Sequence, residues 1–313
     1  MKVLLNDGLE KEGLQLFQEA GIETDKQKRD PAALVAEIGG FDALVVRSAT
    51  KVTREVIEAG AKGKLKIIGR AGVGVDNIDL EAASEFGIVV KSAPSGNTNA
   101  VAELALALML SLSRNIPQCH STLKGCVWSK SKLKGTEMRY KTLGLLGCGR
   151  IGQRLANIAH RGFEMEVIGY DIKPCLESGI NFVSKEEVLQ KADYISIHTG
   201  GKDVIIGEKE LALMKPTAFL INTSRGEIVV EKDLVKALQE GKLAGAALDV
   251  RETEPPPAES PLYVLENVIL TPHTAGLTYE AQEKVVDAIA EDVDRVLSGQ
   301  PALRYVNFPL PKK

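Results

Sequence analysis

An apolar run, Leu143–Leu146, leads directly into Gly147-Cys148-Gly149-Arg150-Ile151-Gly152, and a helical stretch, Gln153–Ala159, leads out of it. Strand, glycine turn and helix in that order form the GxGxxG fingerprint of a dinucleotide-binding βαβ unit. The first two glycines permit a tight turn and a close backbone approach. The third lets helix pack on strand, so the helix N-terminus faces a pyrophosphate. Gly147, Gly149 and Gly152 are therefore expected cofactor contacts; Arg150 either adds a charge there or is simply solvated. At the end of the next apolar run, Glu166–Tyr170, stands Asp171, where this fold uses a carboxylate to hold a ribose 2′-hydroxyl. A carboxylate repels a 2′-phosphate, so NAD is expected rather than NADP.

The same alternation of short apolar runs and amphipathic stretches fills the chain, as it does in parallel α/β sheets. Strands are expected at Val3–Leu5, Ala43–Val46, Lys66–Ile68 and Ile88–Val90, then at Thr142–Leu146, Glu166–Tyr170, Tyr194–Ile197, Ala218–Asn222, Gly245–Asp249 and Val268–Leu270. Helical candidates include Glu10–Glu19, Ala32–Ile38, Leu80–Phe86 with Asp79 as N-cap, and Tyr279–Leu297. A length of 313 residues suits two domains. The expected architecture is α/β, with two doubly wound parallel-sheet domains. Residues 1–95 and 286–313 would form a substrate-binding domain, and an NAD-binding Rossmann domain, residues 96–285, would be inserted into it, with ligands in the cleft between. The stretch from Asn97 to Asn115 is apolar on nearly every face and must be buried, between domains or against a second subunit.

Three polar residues follow expected strand ends, where such folds place ligands: Arg225, Glu254 and His273. Singly each has a bland alternative, as a solvated ion or a structural histidine. Together they supply what hydride chemistry on an alcohol carbon needs. An imidazole takes up or returns the hydroxyl proton near neutral pH. A carboxylate fixes its tautomer, and a planar guanidinium binds a substrate carboxylate and polarises the C2 oxygen. Asp249 could accept from the nicotinamide carboxamide and so orient that ring. This scheme needs no metal, and no ligand cluster in the sequence suggests one.

A net charge of -3 gives no global attraction for nucleic acid or membrane surfaces. The first residues lack the apolar run of a signal peptide, and no window reaches the length of a membrane span. The four cysteines form no CxxC pair. These features lead to the expectation of a cytoplasmic enzyme with reduced thiols and a small-molecule substrate.

Beyond the glycine turn, Asn222-Thr223-Ser224-Arg225-Gly226, Ala247-Leu248-Asp249-Val250 with Glu254-Pro255-Pro256, and Thr271-Pro272-His273 resemble the D-isomer-specific 2-hydroxyacid dehydrogenases. The likeness extends to Val46-Arg47-Ser48-Ala49-Thr50 and to the segment from Gly69 to Asn77, which are more similar to members acting on 3-phosphoglycerate than to formate- or lactate-specific ones. The resemblance implies the roles given above for Arg225, Glu254 and His273. It further implies that Gly72, Val73 and Gly74 meet the substrate carboxylate through backbone N–H groups, with Val73 touching the cofactor. Arg47 and Arg70 become candidates for a substrate phosphate or for bracing that loop; Lys130 and Lys132 are weaker ones. By the same resemblance Arg150, Ile151, Thr199, Thr223 and Asp249 join the cofactor contacts, and the helix region 97–115 would form a homodimer interface. Unphosphorylated hydroxy-acid enzymes, such as glyoxylate/hydroxypyruvate reductases, and non-enzymatic NAD-binding co-repressors share the pattern and remain the alternatives. The chain departs from the family at Thr199-Gly200-Gly201-Lys202, on the adenine side, and at Ala275-Gly276-Leu277 beyond His273. With Asn307 so near the last residue, a serine-sensing regulatory domain is not expected.

Overall fold

The structure, a computed structural model, describes residues 1–9, 11–128, 130–303 and 305–307. Glu10, the first residue of an expected helix, lies outside the described residues, and so does the side chain of Lys132. The chain divides into two units, Met1–Asn97 together with the segment from Leu277 onward, and Thr98–Gly276.

In the first unit, strands β1 (Lys2–Leu5), β2 (Glu23–Asp25), β3 (Ala43–Val46), β4 (Ile67–Arg70) and β5 (Val89–Ser92) pair in parallel in the order β2-β1-β3-β4-β5. Helices α1 (Lys11–Glu19), α2 (Pro31–Glu37), α3 (Arg54–Ala61) and α4 (Leu80–Glu85) lie between them in sequence. Both faces of a parallel sheet must be covered, so its strands are apolar at consecutive positions. One face sends Leu4, Leu44, Ile68 and Val90 against Leu34, Ile38 and Ile57. The other sends Val3, Leu5, Val45 and Ile67 against Phe17 and against Val285, Ile289 and Val293 of the last helix. Asp79 caps α4 as expected, accepting from the Ala82 N–H at 2.8 Å.

The second unit carries β6 (Thr142–Leu146), β7 (Glu166–Tyr170), β8 (Asn181–Phe182), β9 (Tyr194–Ile197), β10 (Phe219–Asn222), β11 (Gly245–Leu248) and β12 (Val268–Leu270), all parallel, in the order β12-β11-β10-β9-β6-β7-β8. The chain leaves β6 in one direction, through β7 and β8, and then returns to the other side of β6 with β9. That reversal is the topological switch point at which doubly wound sheets bind ligands. Its helices are α5 (Thr98–Ser113), α6 (Ile116–Lys124), α7 (Arg150–Phe163), α8 (Lys185–Lys191), α9 (Glu208–Leu213) and α10 (Glu231–Gln239).

Helix α5 buries Ala105, Leu108, Met109 and Leu112 in this unit's own core, among Leu143, Leu145, Leu155 and Ala159. Leu104, Leu106 and Leu110 pack against that core only partly buried. The Ser113 hydroxyl and the Tyr194 hydroxyl, 2.7 Å apart, tie its end to β9. Asn115, at φ 50°, then turns the chain into α6. It is α6 and the residues after it, not α5, that leave Ile116, Leu123, Val127 and Trp128 exposed. Among the described residues no single helix is long and apolar enough to cross a membrane.

The return to the first unit falls between Gly276 and Leu277, not at 285/286. Helix α11 (Tyr279–Leu297) is one rod, and Val285 is already buried with the first sheet. The tail also returns: the Asn307 side chain accepts from the Val90 N–H at 2.9 Å and donates to the Ile88 carbonyl at 2.7 Å, along the β5 edge.

Candidate active site

At the switch point the glycine turn leaves β6 and opens α7, whose N-cap is Gly149. Gly147 has φ +91°, and a Cβ there would stand 2.6 Å from the His198 carbonyl carbon, so only glycine lets β6 and β9 end this close together. A Cβ on Gly149 would meet nothing within 4 Å, which leaves space over the helix N-terminus. Asp171, beyond β7, accepts from the Cys148 N–H at 2.7 Å through one oxygen and from the Lys173 N–H at 2.8 Å through the other. Its carboxylate is held against the turn with lone pairs to spare for two hydroxyls. Burial, and then the Asp171 carboxylate, push the Cys148 thiol up to about 12, so it stays protonated and serves as an apolar filler.

Beyond β9 and β10 the Oγ1 atoms of Thr199 and Thr223, together with Nδ1 of His198, are shielded from solvent and have no partner. Buried polar groups are ordinarily paired. Orphans at adjacent strand ends beside a glycine turn fit a polar ligand lying across the switch point. The chain's own groups thus suit a dinucleotide: amide donors for phosphate, a fixed carboxylate for ribose, and hydroxyls along the strand ends.

His198 hydrogen bonds through Nε2 to the Ser196 hydroxyl at 2.9 Å, and burial holds its pKa down to about 4 from an ordinary 6.5. Between those values the unfolded chain binds a proton that the folded chain refuses, so stability is fully present above pH 6.5 and falls as pH drops towards 4. The loss expected from this one group is about 3 kcal/mol. Urea denaturation at pH 7 and pH 4.5 should show it, and His198→Gln should flatten the slope. An equal slope in that variant would assign the acid sensitivity to other groups.

The three residues expected to do the chemistry stand on loops after β10, β11 and β12. Asn222 shapes the first loop: its Oδ1 accepts from the Ser224 N–H and hydroxyl, each at 3.0 Å, and its amide donates to the Arg225 carbonyl at 2.8 Å. Arg225 is left half-buried, with Nη1 donating to the Ser224 carbonyl at 2.8 Å. Gly226 follows, and a Cβ there would lie 1.8 Å from the Arg251 carbonyl oxygen. The loops bearing Arg225 and Glu254 therefore touch, backbone to backbone.

Glu254 Oε2 lies 2.8 Å from His273 Nδ1, and its Oε1 accepts from the Arg251 N–H at 3.0 Å. With Nδ1 engaged, Nε2 of the exposed His273 ring is the nitrogen left for substrate. His273 itself sits at φ 54°, its N–H donating to the Asp249 carbonyl at 2.8 Å. Asp249 is 1% exposed. Its Oδ1 accepts from the Thr271 hydroxyl at 2.6 Å, the Thr274 N–H at 2.8 Å and the Thr274 hydroxyl, while Oδ2 accepts from the Ala275 N–H at 2.9 Å. From the sequence this carboxylate is an expected cofactor contact. The structure gives it a second task, as the frame that folds the His273 loop, and leaves capacity for a ligand only on Oδ2.

The first unit places Arg47 and Arg70 at the ends of neighbouring strands, where Val46 and Arg70 are register partners. Arg47 reaches Gln282 of α11. The loop after β3 is held by two residues outside the expected site, Asp7 and Asn77. Asp7 accepts from the Arg47 N–H at 2.7 Å, the Thr50 N–H at 3.1 Å and the Thr50 hydroxyl at 2.7 Å. Asn77 donates to the carbonyls of Arg47 at 2.8 Å and Thr50 at 2.7 Å. The available signal was Asn6-Asp7, two polar residues placed directly after the apolar β1. In the next loop the Ala71 N–H donates to the Val46 carbonyl and the Gly72 N–H to the Arg70 carbonyl. Of the backbone groups expected to meet a carboxylate, this leaves those of Val73 and Gly74. Lys130 begins a single 3₁₀ turn, Lys130–Lys132, in the second unit and is exposed.

Comparison with known proteins gives three findings. Residues 106–275 match a family model described as the NAD binding domain of D-isomer specific 2-hydroxyacid dehydrogenases. Curated relatives include the D-3-phosphoglycerate dehydrogenases of Methanocaldococcus jannaschii, 45% identical, and Archaeoglobus fulgidus, 42% identical, each over 99% of this chain. The chain spans 60% of the length of either relative. Among solved structures, the TT0316 protein from Thermus thermophilus is 35% identical with a TM-score of 0.92, covering 98% of this chain and 100% of its own.

Proposed function

We propose that this chain, which belongs to the D-isomer-specific 2-hydroxyacid dehydrogenase family and carries its NAD-binding domain, oxidises D-3-phosphoglycerate to 3-phosphohydroxypyruvate, the entry step of serine biosynthesis. The observation that carries the reaction class is the Glu254–His273 hydrogen bond of 2.8 Å on a strand-end loop of that domain. The substrate follows from Arg47 and Arg70 at neighbouring strand ends and from the likeness, over nearly the whole chain, to relatives named for phosphoglycerate.

Bound NAD supplies the hydride acceptor. The chain's own groups do the rest. Arg225 holds the substrate carboxylate through its planar fork and draws charge toward the C2 oxygen. Nε2 of His273 takes the C2 hydroxyl proton, and returns it in the reverse reaction. Glu254 holds the ring in one tautomer and stabilises the imidazolium that forms. Arg47 and Arg70 hold the phosphate, and the N–H groups of Val73 and Gly74 bind carboxylate oxygens. Gly147, Gly149, Arg150, Ile151, Gly152, Asp171, Thr199, Thr223 and Asp249 are the proposed cofactor contacts, with Asp171 disfavouring a 2′-phosphate.

The same reading makes the protein a cytoplasmic homodimer. Its four cysteines are free thiols, in keeping with a reducing compartment. The 97–115 region is the proposed interface, and just beyond it the exposed Ile116, Leu123, Val127 and Trp128 add an apolar surface suited to a second copy. Light scattering returning one chain's mass would remove the dimer.

The deciding experiment follows NADH absorbance with phosphohydroxypyruvate, hydroxypyruvate, glyoxylate, pyruvate and 2-oxoglutarate in parallel, and repeats the best of them with NADPH. Fast oxidation of NADH with phosphohydroxypyruvate alone is the expected result. Preference for an unphosphorylated acid would keep the dehydrogenase and discard the phosphate role of Arg47 and Arg70. Binding of NADH without any turnover would favour a co-repressor.

A further inference from the structure

We propose that Arg251 is a positioning residue for the catalytic pair: its buried side chain is clamped to Glu231 and Ser260, so that its backbone N–H becomes a fixed donor to Glu254. The inference rests on the roles given above to Glu254 and His273.

The loop from Arg251 to Ser260 is buried at its two ends and largely exposed between them, with Glu252, Thr253, Glu254 and Pro255 all exposed. A loop of that kind holds its side chains only as well as its ends are held. Both ends here are tied, directly or through Arg251, to one carboxylate on a different element, Glu231 in the first turn of α10. Arg251 Nε and Nη2 donate to the two Glu231 oxygens, each at 2.8 Å, and Nη2 also donates to the Ser260 hydroxyl at 2.9 Å. The Glu252 N–H adds a fourth bond, to Glu231 Oε1 at 2.8 Å. Beyond the guanidinium lies the Tyr263 ring, 5.9 Å from Cζ to centroid.

An apolar side chain would bury at position 251 without the desolvation cost of an ion pair. What the guanidinium adds is direction. Its two-pronged bond to a carboxylate admits one orientation, which fixes the side chain and with it the backbone of residue 251. That backbone has two functional neighbours. Its N–H bonds to Glu254 Oε1 at 3.0 Å, while the other Glu254 oxygen bonds to His273. Its carbonyl abuts Gly226, next to Arg225, where even a methyl group would clash. One clamped residue thereby sets the Glu254 carboxylate, and the contact with Gly226 is made by its backbone alone.

The test is a double-mutant cycle. Arg251→Met is made in the native chain and in a Glu254→Ala background, with turnover read on the 2-oxo acid the native protein uses best. In the native background kcat should fall about tenfold, as coupled neighbours do, with KM and NADH affinity within about twofold. In the Glu254→Ala background the same change should cost nothing further. Equal losses in both backgrounds would overturn the proposal, because they would mean Arg251 acts by some other route. Glu231→Gln, which keeps the shape of the partner, is the milder variant should Arg251→Met fold poorly, and it should show the same dependence on Glu254. A readout free of any substrate is the His273 ring N–H resonance, assigned by its absence in His273→Ala. It should lie in the hydrogen-bonded range in the native protein and move in Arg251→Met; an unmoved resonance sinks the clamp. If no 2-oxo acid is turned over while that resonance still depends on Arg251, the clamp stands and the assigned reaction falls.

Discussion

Replacing His273 by alanine should lower kcat about a thousandfold while leaving NADH affinity within about twofold, since a positioned acid–base group contributes roughly 10²- to 10⁴-fold. The expectation follows from the separation of tasks within the second unit. The glycine turn after β6 and the carboxylate after β7 are the proposed cofactor contacts, whereas His273 follows β12 and meets Glu254 at 2.8 Å. Truncating the ring removes the proton acceptor and leaves the β6–β9 crevice intact. Glu254→Gln should cost less, because an amide still bonds to the ring but no longer opposes the charge of the imidazolium. Combining the two changes should cost no more than His273→Ala alone, since Glu254 acts through the ring. Steady-state kinetics beside a fluorescence titration of NADH would measure both halves. A loss of cofactor affinity matching the loss of turnover would show that the His273 loop shapes the cofactor pocket, and would remove the proton role.

The second large effect is expected at Arg225. Arg225→Ala should lower kcat/KM by about 10³, through a higher KM and a lower kcat together, because the guanidinium is assigned both the ground-state carboxylate and the charge that develops at the C2 oxygen. Arg225→Lys should recover little of it: a point charge cannot hold two oxygens in a fixed plane. The surrounding loop gives this test a clean background. Asn222 braces that loop through bonds to the Ser224 N–H and hydroxyl and to the Arg225 carbonyl, none of which uses the guanidinium. A melting temperature near native is therefore expected in both variants. Unchanged kcat with only KM raised would confine Arg225 to binding.

Strand positions in both sheets were legible because a parallel strand covered on both faces is apolar at consecutive positions, and those runs stand out between amphipathic helices. Ala43–Val46 and Val268–Leu270 match the expected limits residue for residue. The strands that escaped are β2, Glu-Thr-Asp, and β8, Asn-Phe. Both are sheet edges, too short and too polar to leave a period. Helix α5 shows the opposite failure. Its composition announces burial but carries no information about which surface does the burying: Ala105, Leu108, Met109 and Leu112 lie in its own unit's core, while contact with a second copy is the proposal made above.

The site divides in the same way. Gly147, Asp171, Arg225, Glu254 and His273 are candidates that a turn motif or a strand end marks, and their roles are the proposal made above. Asp7, Asn77, Asn222 and the framing role of Asp249 could not be picked out, because each acts through hydrogen bonds to backbone groups brought near only by folding. The Asp249 carboxylate meets residues 271–275, more than twenty positions on. No local pattern links them.

The double passage of the chain between units also sets an order of events during synthesis. Phe17 covers part of one face of the first sheet, but Val285, Ile289 and Val293 of α11 complete it, so Val3, Leu5 and Val45 stay partly uncovered until translation has passed the whole of Thr98–Gly276. At a ribosome's pace of ~5–20 residues per second that wait is roughly 10–35 s. The inserted unit is contiguous and meets no such delay. Nascent chains arrested just after that unit has emerged should therefore show it resistant to protease while the earlier-made segment is still cut. In a cell short of chaperones, the strands of the first unit are the part of this protein expected to be most exposed to aggregation.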